Sequence, residues 1–172
     1  MSIQPVLLEL DRVLEERSPL VYRHLRPGLD SRTVEKKLAI VDVSSQDLID
    51  FYRWHNGVEW DSPIRFAKRW LFSGPRFLPN ELTMACAHFY DWEELSGYRP
   101  QLKVATGGLF PMLWNAAASW LALNVDVNSA GFGGIYLIDL DVENQVRLVR
   151  PSIREFLKEI IQSLQNDTQV EI

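Results

Sequence analysis

The chain has three histidines and one cysteine, the side chains that most often bind transition metals or act as nucleophiles. His24, His55 and His88 lie far apart in the sequence. A metal site on a helix face needs ligands one turn apart, as in the HxxxH spacing, and no pair of these histidines has it. The sequence therefore predicts no metal site and no bound cofactor.

Nucleophilic catalysis has few supporting residues. Cys86 lies between two alanines in a helical pattern, which is typical of a small buried side chain. No residue next to it would lower the pKa of the thiol, and no GxSxG motif of a serine hydrolase is present. An enzyme stays an alternative if distant residues converge, with Cys86 or Ser119 meeting one of the histidines.

Two patterns resemble ligand-binding loops without their essential residues. The glycines within 131–134 open a predicted strand, whereas a phosphate-binding glycine loop leads into a helix N-terminus. Asp126 and Asn128 resemble the start of a calcium loop, but Leu137 stands where the bidentate glutamate belongs. Neither phosphate nor calcium binding is predicted.

The charge balance limits the class of partner. The 172 residues are enough for one domain with its own core. Acidic residues number 23 against 18 basic ones, a net charge of −5, and this favours a basic or neutral partner over nucleic acid. The segment 61–74 mixes aromatic residues with only three basic ones, too few for a nucleic-acid footprint.

The cysteine count and the hydropathy pattern indicate a compartment. A single cysteine cannot form an internal disulfide, so a reducing cytoplasm is expected. No run approaches the roughly 18 consecutive apolar residues that a membrane-spanning helix needs, and the start of the chain has no signal-peptide pattern. We therefore expect a cytoplasmic protein without membrane contact.

The second half of the chain reads as a β-sheet. Alternating residues in 119–125 and an apolar run in 134–140 predict two strands joined by a loop at 126–133. Val146, Leu148 and Val149 predict a further strand. The sequence ends in a helix that begins at a Ser152–Glu155 capping box, and residues 166–172 are predicted to be a frayed tail.

The first half reads as helical. Apolar residues at helical spacing predict a first helix before Ser18 and another over 34–41. Ser44 with Asp47 predicts the start of a helix that ends at Asn56-Gly57, and Ser18 and Asn80 are predicted caps of two more. The predicted class is α+β: a helix-rich N-terminal half packed on a largely antiparallel sheet from the C-terminal half, closed by a C-terminal helix.

Five motifs occur in one order along the chain. They are FYRWHNG at 51–57, LPNEL at 78–82 before a helix ending in YDW, LFPMLWN at 109–115, GGIYLIDLD at 133–141, and SIREFLKEI at 152–160. Together they resemble the SUKH superfamily, which includes fungal cell-wall assembly regulators of the Smi/Knr type and bacterial toxin-immunity proteins. The resemblance covers about residues 34–164 of one domain spanning 1–172, with 1–18 as an additional N-terminal helix.

The resemblance implies a domain without a catalytic centre that acts by binding another protein. In the bacterial branch the partner is a toxin, often a nuclease or another enzyme that acts on nucleic acid. A regulatory scaffold like the fungal proteins is the alternative, although such proteins have longer disordered flanks than this chain.

Aromatic anchors and carboxylates would suit an interface with a basic toxin surface. Equally, tryptophans are usually core residues and single acidic residues are usually solvated. The candidate interface residues are Trp60, Asp61, Asp91, Trp92, Glu93 and Trp114.

Overall fold

The computed structural model describes residues 2–58, 77–98, 108–115, 119–139 and 145–172, with the backbone alone for 91–98 and 145. These ranges form helices and strands in the following order. They are α1 (Gln4–Arg17), α2 (Pro19–His24), β1 (Leu25–Pro27), α3 (Ser31–Ile40), α4 (Gln46–Trp54), β2 (His55–Val58), β3 (Leu78–Pro79), α5 (Leu82–Tyr98), β4 (Leu109–Trp114), β5 (Ser119–Asn124), β6 (Ile135–Asp139), β7 (Gln145–Arg150) and α6 (Ile153–Gln165).

The strands form two antiparallel sheets. β1 pairs with β2 in a two-stranded ribbon, and the other strands form a five-stranded sheet in the order β3-β4-β5-β6-β7. Each strand of the larger sheet therefore pairs with its neighbour in sequence, as short antiparallel connections favour. The predicted α+β class, with its antiparallel C-terminal sheet and closing helix, is confirmed.

One face of the large sheet and the helices α1, α3, α4, α5 and α6 form the main core. The apolar stripes of α1 and α6 are buried as their spacing predicts. These two helices pack against each other, and α1 also contacts α4. The buried sheet residues of this core include Phe110, Met112, Leu121, Leu123, Ile135 and Val149. The additional N-terminal helix is thus an integral part of the packing.

The opposite face of the sheet holds a smaller apolar cluster. Because side chains alternate along a strand, Trp120 and Ala122 of β5 point away from the main core and join Ile138 of β6. Trp114, Tyr136 and Val146 are only partly buried and flank this cluster. Both faces of the central strands are therefore apolar, which accounts for their nearly continuous hydrophobic sequence.

The start of α4 differs from the prediction by one residue. Oγ of Ser45, not of Ser44, accepts the hydrogen bond from the backbone N–H of Leu48, at 3.3 Å. Asp47 therefore lies in the first turn of α4 without closing a capping box, and the predicted box is wrong. Its carboxylate still suits the positive end of the helix dipole.

The predicted caps of α2 and α6 have different outcomes. Oγ of Ser152 accepts from the N–H of Glu155 at 3.2 Å, so the cap of the closing helix is confirmed. Ser18 precedes Pro19 at the start of α2, but its side chain makes no capping hydrogen bond. The proline alone carries the helix-start signal there, because its fixed φ suits the first helical turn.

The predicted end of α4 at Asn56-Gly57 is wrong. The helix stops at Trp54, and His55–Val58 continue as β2. Leu25 of β1 pairs with Val58, and Pro27 pairs with His55. Pairing with a strand about 30 residues earlier ends the helix, and local sequence carries no sign of that contact.

The C-terminal residues are not a frayed tail, so that prediction is also wrong. Val170 is 1% exposed and belongs to the main core. The N–H of Thr168 donates to the carbonyl of Ser163 at 2.9 Å, and the Arg150 guanidinium donates to the carbonyl of Glu171 at 3.2 Å. Burial of one valine and these hydrogen bonds hold the tail against the domain.

In the described part of the chain, no helix has both the length and the apolar character needed to cross a bilayer.

Candidate protein-binding cleft

The strand β2 and the start of α5 meet in what we call the motif junction, residues 56–57 and 80–82. Oδ1 of Asn56 accepts a hydrogen bond from the backbone N–H of Leu82 at 2.9 Å. That N–H lies in the first turn of α5, where the helix itself offers no acceptor. The Asn of the HNG motif therefore caps a helix that begins 26 residues later in the sequence.

Gly57 permits this close contact. Its φ is +79°, and a Cβ at this position would lie 2.6 Å from the backbone nitrogen of Glu81 and 2.8 Å from the carbonyl carbon of Asn80. Both atoms belong to the backbone, so neither can move aside cheaply. Glycine is required here by its conformation and by the space.

Asn80 connects the junction to the large sheet. Its N–H donates to the carbonyl of Met112 at 2.8 Å, and its Nδ2 donates to the carbonyl of Pro111 at 3.1 Å. The residue is 6% exposed, so these bonds satisfy a buried amide. Since α5 begins at Leu82, the prediction that Asn80 caps this helix is wrong.

A shallow cleft opens where the motif junction reaches the surface. Its lining includes Arg26, Val58, Pro79, Glu81, Met84 and Trp114. Nη1 of Arg26 lies 2.8 Å from Oε2 of Glu81, with the two side chains 38% and 32% exposed. A pair this exposed contributes at most about 1 kcal/mol to stability; its main effect is to fix the positions of both charges on the cleft wall.

Trp114 forms the aromatic side of the cleft. Its ring is nearly parallel to that of Trp120, with an interplanar angle of 7° and centroids 6.4 Å apart. The ring of His88 from α5 lies 5.7 Å away. This packing fixes the orientation of Trp114 while leaving the residue partly exposed, so the indole is presented with little conformational freedom left to lose on binding.

The structure places one of the six predicted interface residues fully. Trp114 lines the cleft. Asp91, Trp92 and Glu93 lie in α5, two to three turns after the motif junction, where the structure describes the backbone alone. Trp60 and Asp61 lie outside the described residues.

Three cleft residues were missed by the sequence analysis. Glu81 lies inside the LPNEL motif and Met84 follows it, so the motif itself was a signal for both. Arg26 precedes Pro27-Gly28 and has no local signal, because its role depends on a partner 55 residues away.

A second polar cluster lies behind the cleft and ties α1 to β2. Oδ1 of Asp11 accepts from Nε1 of Trp54 at 3.0 Å and lies 2.9 Å from Nε2 of His55. Nδ1 of His55 lies 2.9 Å from the carbonyl oxygen of Arg26. Both ring nitrogens of His55 thus lie at hydrogen-bond distance from oxygen atoms of the protein itself.

Neither Cys86 nor Ser119 forms a hydrogen bond to a histidine among the described residues. Sγ of Cys86 lies 3.8 Å from the carbonyl oxygen of Lys37, and the backbone N–H of Ser119 donates to Oδ1 of Asn115 at 3.1 Å. Burial raises the pKa of the Cys86 thiol to about 11, and the Lys37 ammonium offsets only part of that shift. The thiol is therefore protonated at neutral pH.

We expect Cys86 to react slowly with iodoacetamide in the folded protein. Compared with a thiol of the reference pKa of 9.0, its thiolate fraction at pH 8 is smaller by about 100-fold. The alkylation rate, followed by mass spectrometry, should rise with pH up to about 11. The same protein unfolded in guanidinium is the control, and a plateau below pH 9 in the folded protein would contradict the buried-thiol assignment.

Comparison with known proteins adds no relative. No protein-family model matches the chain, and no curated protein sequence matches it. The resemblance to the SUKH superfamily therefore stays a prediction that depends on the five motifs and their order.

Proposed function

We propose that this protein is a non-catalytic protein-binding domain of the SUKH type, and that it acts as an immunity protein in the bacterial cytoplasm. It neutralises a toxin by binding it directly, one to one, and needs neither a cofactor nor a metal. The Trp114 cleft is the part of the described surface that we assign to this binding.

The motif junction is the observation that carries the proposal. Two of the five motifs, HNG and LPNEL, meet there through Asn56 and Gly57, and a third, LFPMLWN, joins them through the bonds of Asn80. Segments separated by about 25 and 30 residues thus form one structural unit, and this unit is the scaffold of the proposed binding surface. The unit has Trp114 and Met84 at its surface.

The side chains of the cleft are of the types that protein interfaces favour. Tryptophan, methionine and arginine are enriched at such interfaces, and tryptophan and arginine are the commonest hot-spot residues. Trp114 is held by aromatic packing and Arg26 by its ion pair with Glu81. With a net charge of −5, the domain attracts a basic partner over longer distances.

Two of the residues that could have supported catalysis, His55 and Cys86, have structural partners instead. His55 bridges Asp11 and the carbonyl of Arg26, and the Cys86 thiol has a pKa of about 11. These contacts favour binding over catalysis as the role of this domain.

Replacing Trp114 by alanine should weaken toxin binding by about 30-fold or more, as expected for an interface hot spot. The measurement is calorimetric titration with purified candidate toxin domains, including the product of any adjacent secreted-toxin gene. Met84→Ala removes a second side chain of the cleft without touching the aromatic stack and should also weaken binding. Leu8→Ala, at a residue 70% exposed on α1, is the matched control.

The charge contribution has a separate signature, which is measured as the association rate at several salt concentrations. Reversing the charges at Asp91 and Glu93 should slow association and reduce its dependence on salt concentration. If Trp114→Ala and Met84→Ala bind like wild type while both variants remain folded, the cleft is not the binding surface.

A further inference from the structure

The loop between β5 and β6, residues 125–134, is held in one conformation by its own polar groups. Asn124 is 5% exposed, and its Oδ1 accepts from the N–H of Asp126 at 3.0 Å. Its Nδ2 donates to Oγ of Ser129 at 3.0 Å. The buried side-chain amide of Asn124, at the base of the loop, thus forms hydrogen bonds with two residues of the loop.

Backbone hydrogen bonds close the rest of the loop. The N–H of Phe132 donates to the carbonyl of Ser129 at 3.1 Å, and the N–H of Gly133 donates to the carbonyl of Asn124 at 2.8 Å. The carbonyl of Gly133 in turn accepts from the N–H of Ile153 at 3.1 Å. The loop is therefore fixed both to β5 and to the start of α6.

This fixed loop and the neighbouring strand β7 expose three apolar side chains, which we call the loop patch. Val127 is 70% exposed, Phe132 50% and Leu148 50%. Leu148 lies beside the loop, since its Cδ1 is 3.0 Å from the position that a Cβ on Gly134 would take. At least half of the surface of each of these three residues is exposed to solvent. Two of them lie on a loop that many hydrogen bonds hold in place.

Exposed apolar side chains on a fixed loop suit binding to a concave surface. The loop loses its conformational freedom when the protein folds, so binding costs little further entropy. A large aromatic side chain that fills a pocket of the partner is a common interface anchor.

The charges of the loop and of the whole chain indicate which kind of partner the loop patch can bind. Asp126 is the only charged residue in 125–134, it is exposed, and the whole chain is acidic. Arg147 precedes Leu148, but strand alternation directs it to the other face of β7. The loop has no cationic side chain to offer anionic lipid or nucleic acid, whereas an apolar pocket with a basic rim on a protein would complement its carboxylate.

We propose that the loop patch anchors the domain in an apolar, basic-rimmed pocket of the partner protein, with Phe132 as its central residue. This inference depends on the proposed function, since the partner is the same toxin. The patch lies at the end of the sheet where Leu109 pairs with Asn124, and Trp114 pairs with Trp120 at the other end. A six-residue strand spans about 20 Å, so the two surfaces can be tested separately.

The test is a titration of wild type, Phe132→Ala, Ser129→Ala and Ile40→Ala against the same purified candidate toxin domains. Phe132→Ala should raise the dissociation constant by about 30-fold or more, mainly through faster dissociation. Ser129→Ala keeps the ring but removes the contacts of the Ser129 hydroxyl with Asn124 and Gly131, and should show a smaller loss. Ile40, 77% exposed on α3, is the matched apolar control and should bind like wild type.

Each other outcome has a defined meaning. If all variants bind like wild type, the toxin is the partner but the loop patch is not the anchor, and this inference alone is overturned. If wild type does not bind the toxin, the proposed function fails and this inference fails with it. Wild-type binding to phosphatidylglycerol vesicles that is lost in Phe132→Ala would overturn the assignment to a protein partner.

Discussion

Replacing Gly57 by alanine is expected to lower the free energy of unfolding by about 3 kcal/mol or more. The residue has φ of +79°, and the added methyl group would lie 2.6 Å from the backbone nitrogen of Glu81. To relieve that contact, β2 must move away from α5, and the hydrogen bond from Leu82 to Asn56 then lengthens. Urea unfolding followed by circular dichroism measures the change.

Gly133 provides the matched control. It has the same φ of +79°, but a Cβ there would have no atom within 4 Å. Gly133→Ala should therefore lower the free energy of unfolding only by the backbone strain, about 1–2 kcal/mol. If Gly57→Ala lowers the free energy of unfolding no more than Gly133→Ala does, β2 does not approach α5 as closely as described. Our explanation of the HNG motif would then be wrong.

The second large effect is expected for Phe110→Ala. Phe110 is 0% exposed, and its ring lies 5.6 Å from that of Phe89 on α5 and 6.4 Å from that of Tyr52 on α4. The truncation leaves a cavity at the point where both helices meet β4. The expected loss in the free energy of unfolding is about 3–5 kcal/mol, again measured by urea unfolding.

Phe132→Ala is the control for this substitution because it removes the same side chain at a position 50% exposed. It should change the free energy of unfolding by no more than about 0.5 kcal/mol. Equal losses for the two variants would mean that Phe110 is not a central core residue.

Elements with a strong repeating pattern were predictable from the sequence. The buried stripe of α6, starting at Ile153, has helical spacing and begins at a serine cap, and both signals are local. The strands β5 and β6 follow from alternation and from an apolar run in the same way. α6 buries one face and β5 buries both, and in each case the apolar pattern of the element itself indicates the burial.

Elements fixed by distant contacts could not be predicted in this way. Asn56-Gly57 has the sequence of a helix end, but β1 pairs with His55 and Val58 on either side of it, and all four residues belong to β2. Asn80 has the sequence of a helix cap, but its amide binds the sheet at Pro111. In both cases a tertiary hydrogen bond outweighs a local preference worth about 1 kcal/mol.

The candidate site was predictable only in part for the same reason. Trp114 could be named from its residue type and its place in the LFPMLWN motif. Its neighbours in the cleft, Arg26 and Glu81, are 55 residues apart in sequence, and only the fold brings them together. The exposure of Phe132 also follows from the loop geometry, since an apolar residue beside a predicted strand would ordinarily be assigned to the core.

The most direct test of the proposed function is protection of living cells. A candidate toxin domain, such as the product of any adjacent secreted-toxin gene, is expressed from an inducible promoter, with wild-type protein or Trp114→Ala supplied from a second plasmid. We predict that wild type restores growth and co-purifies with the toxin in a one-to-one complex, and that Trp114→Ala protects poorly at equal abundance. Cell death in the presence of abundant, folded wild-type protein would contradict neutralisation by direct binding.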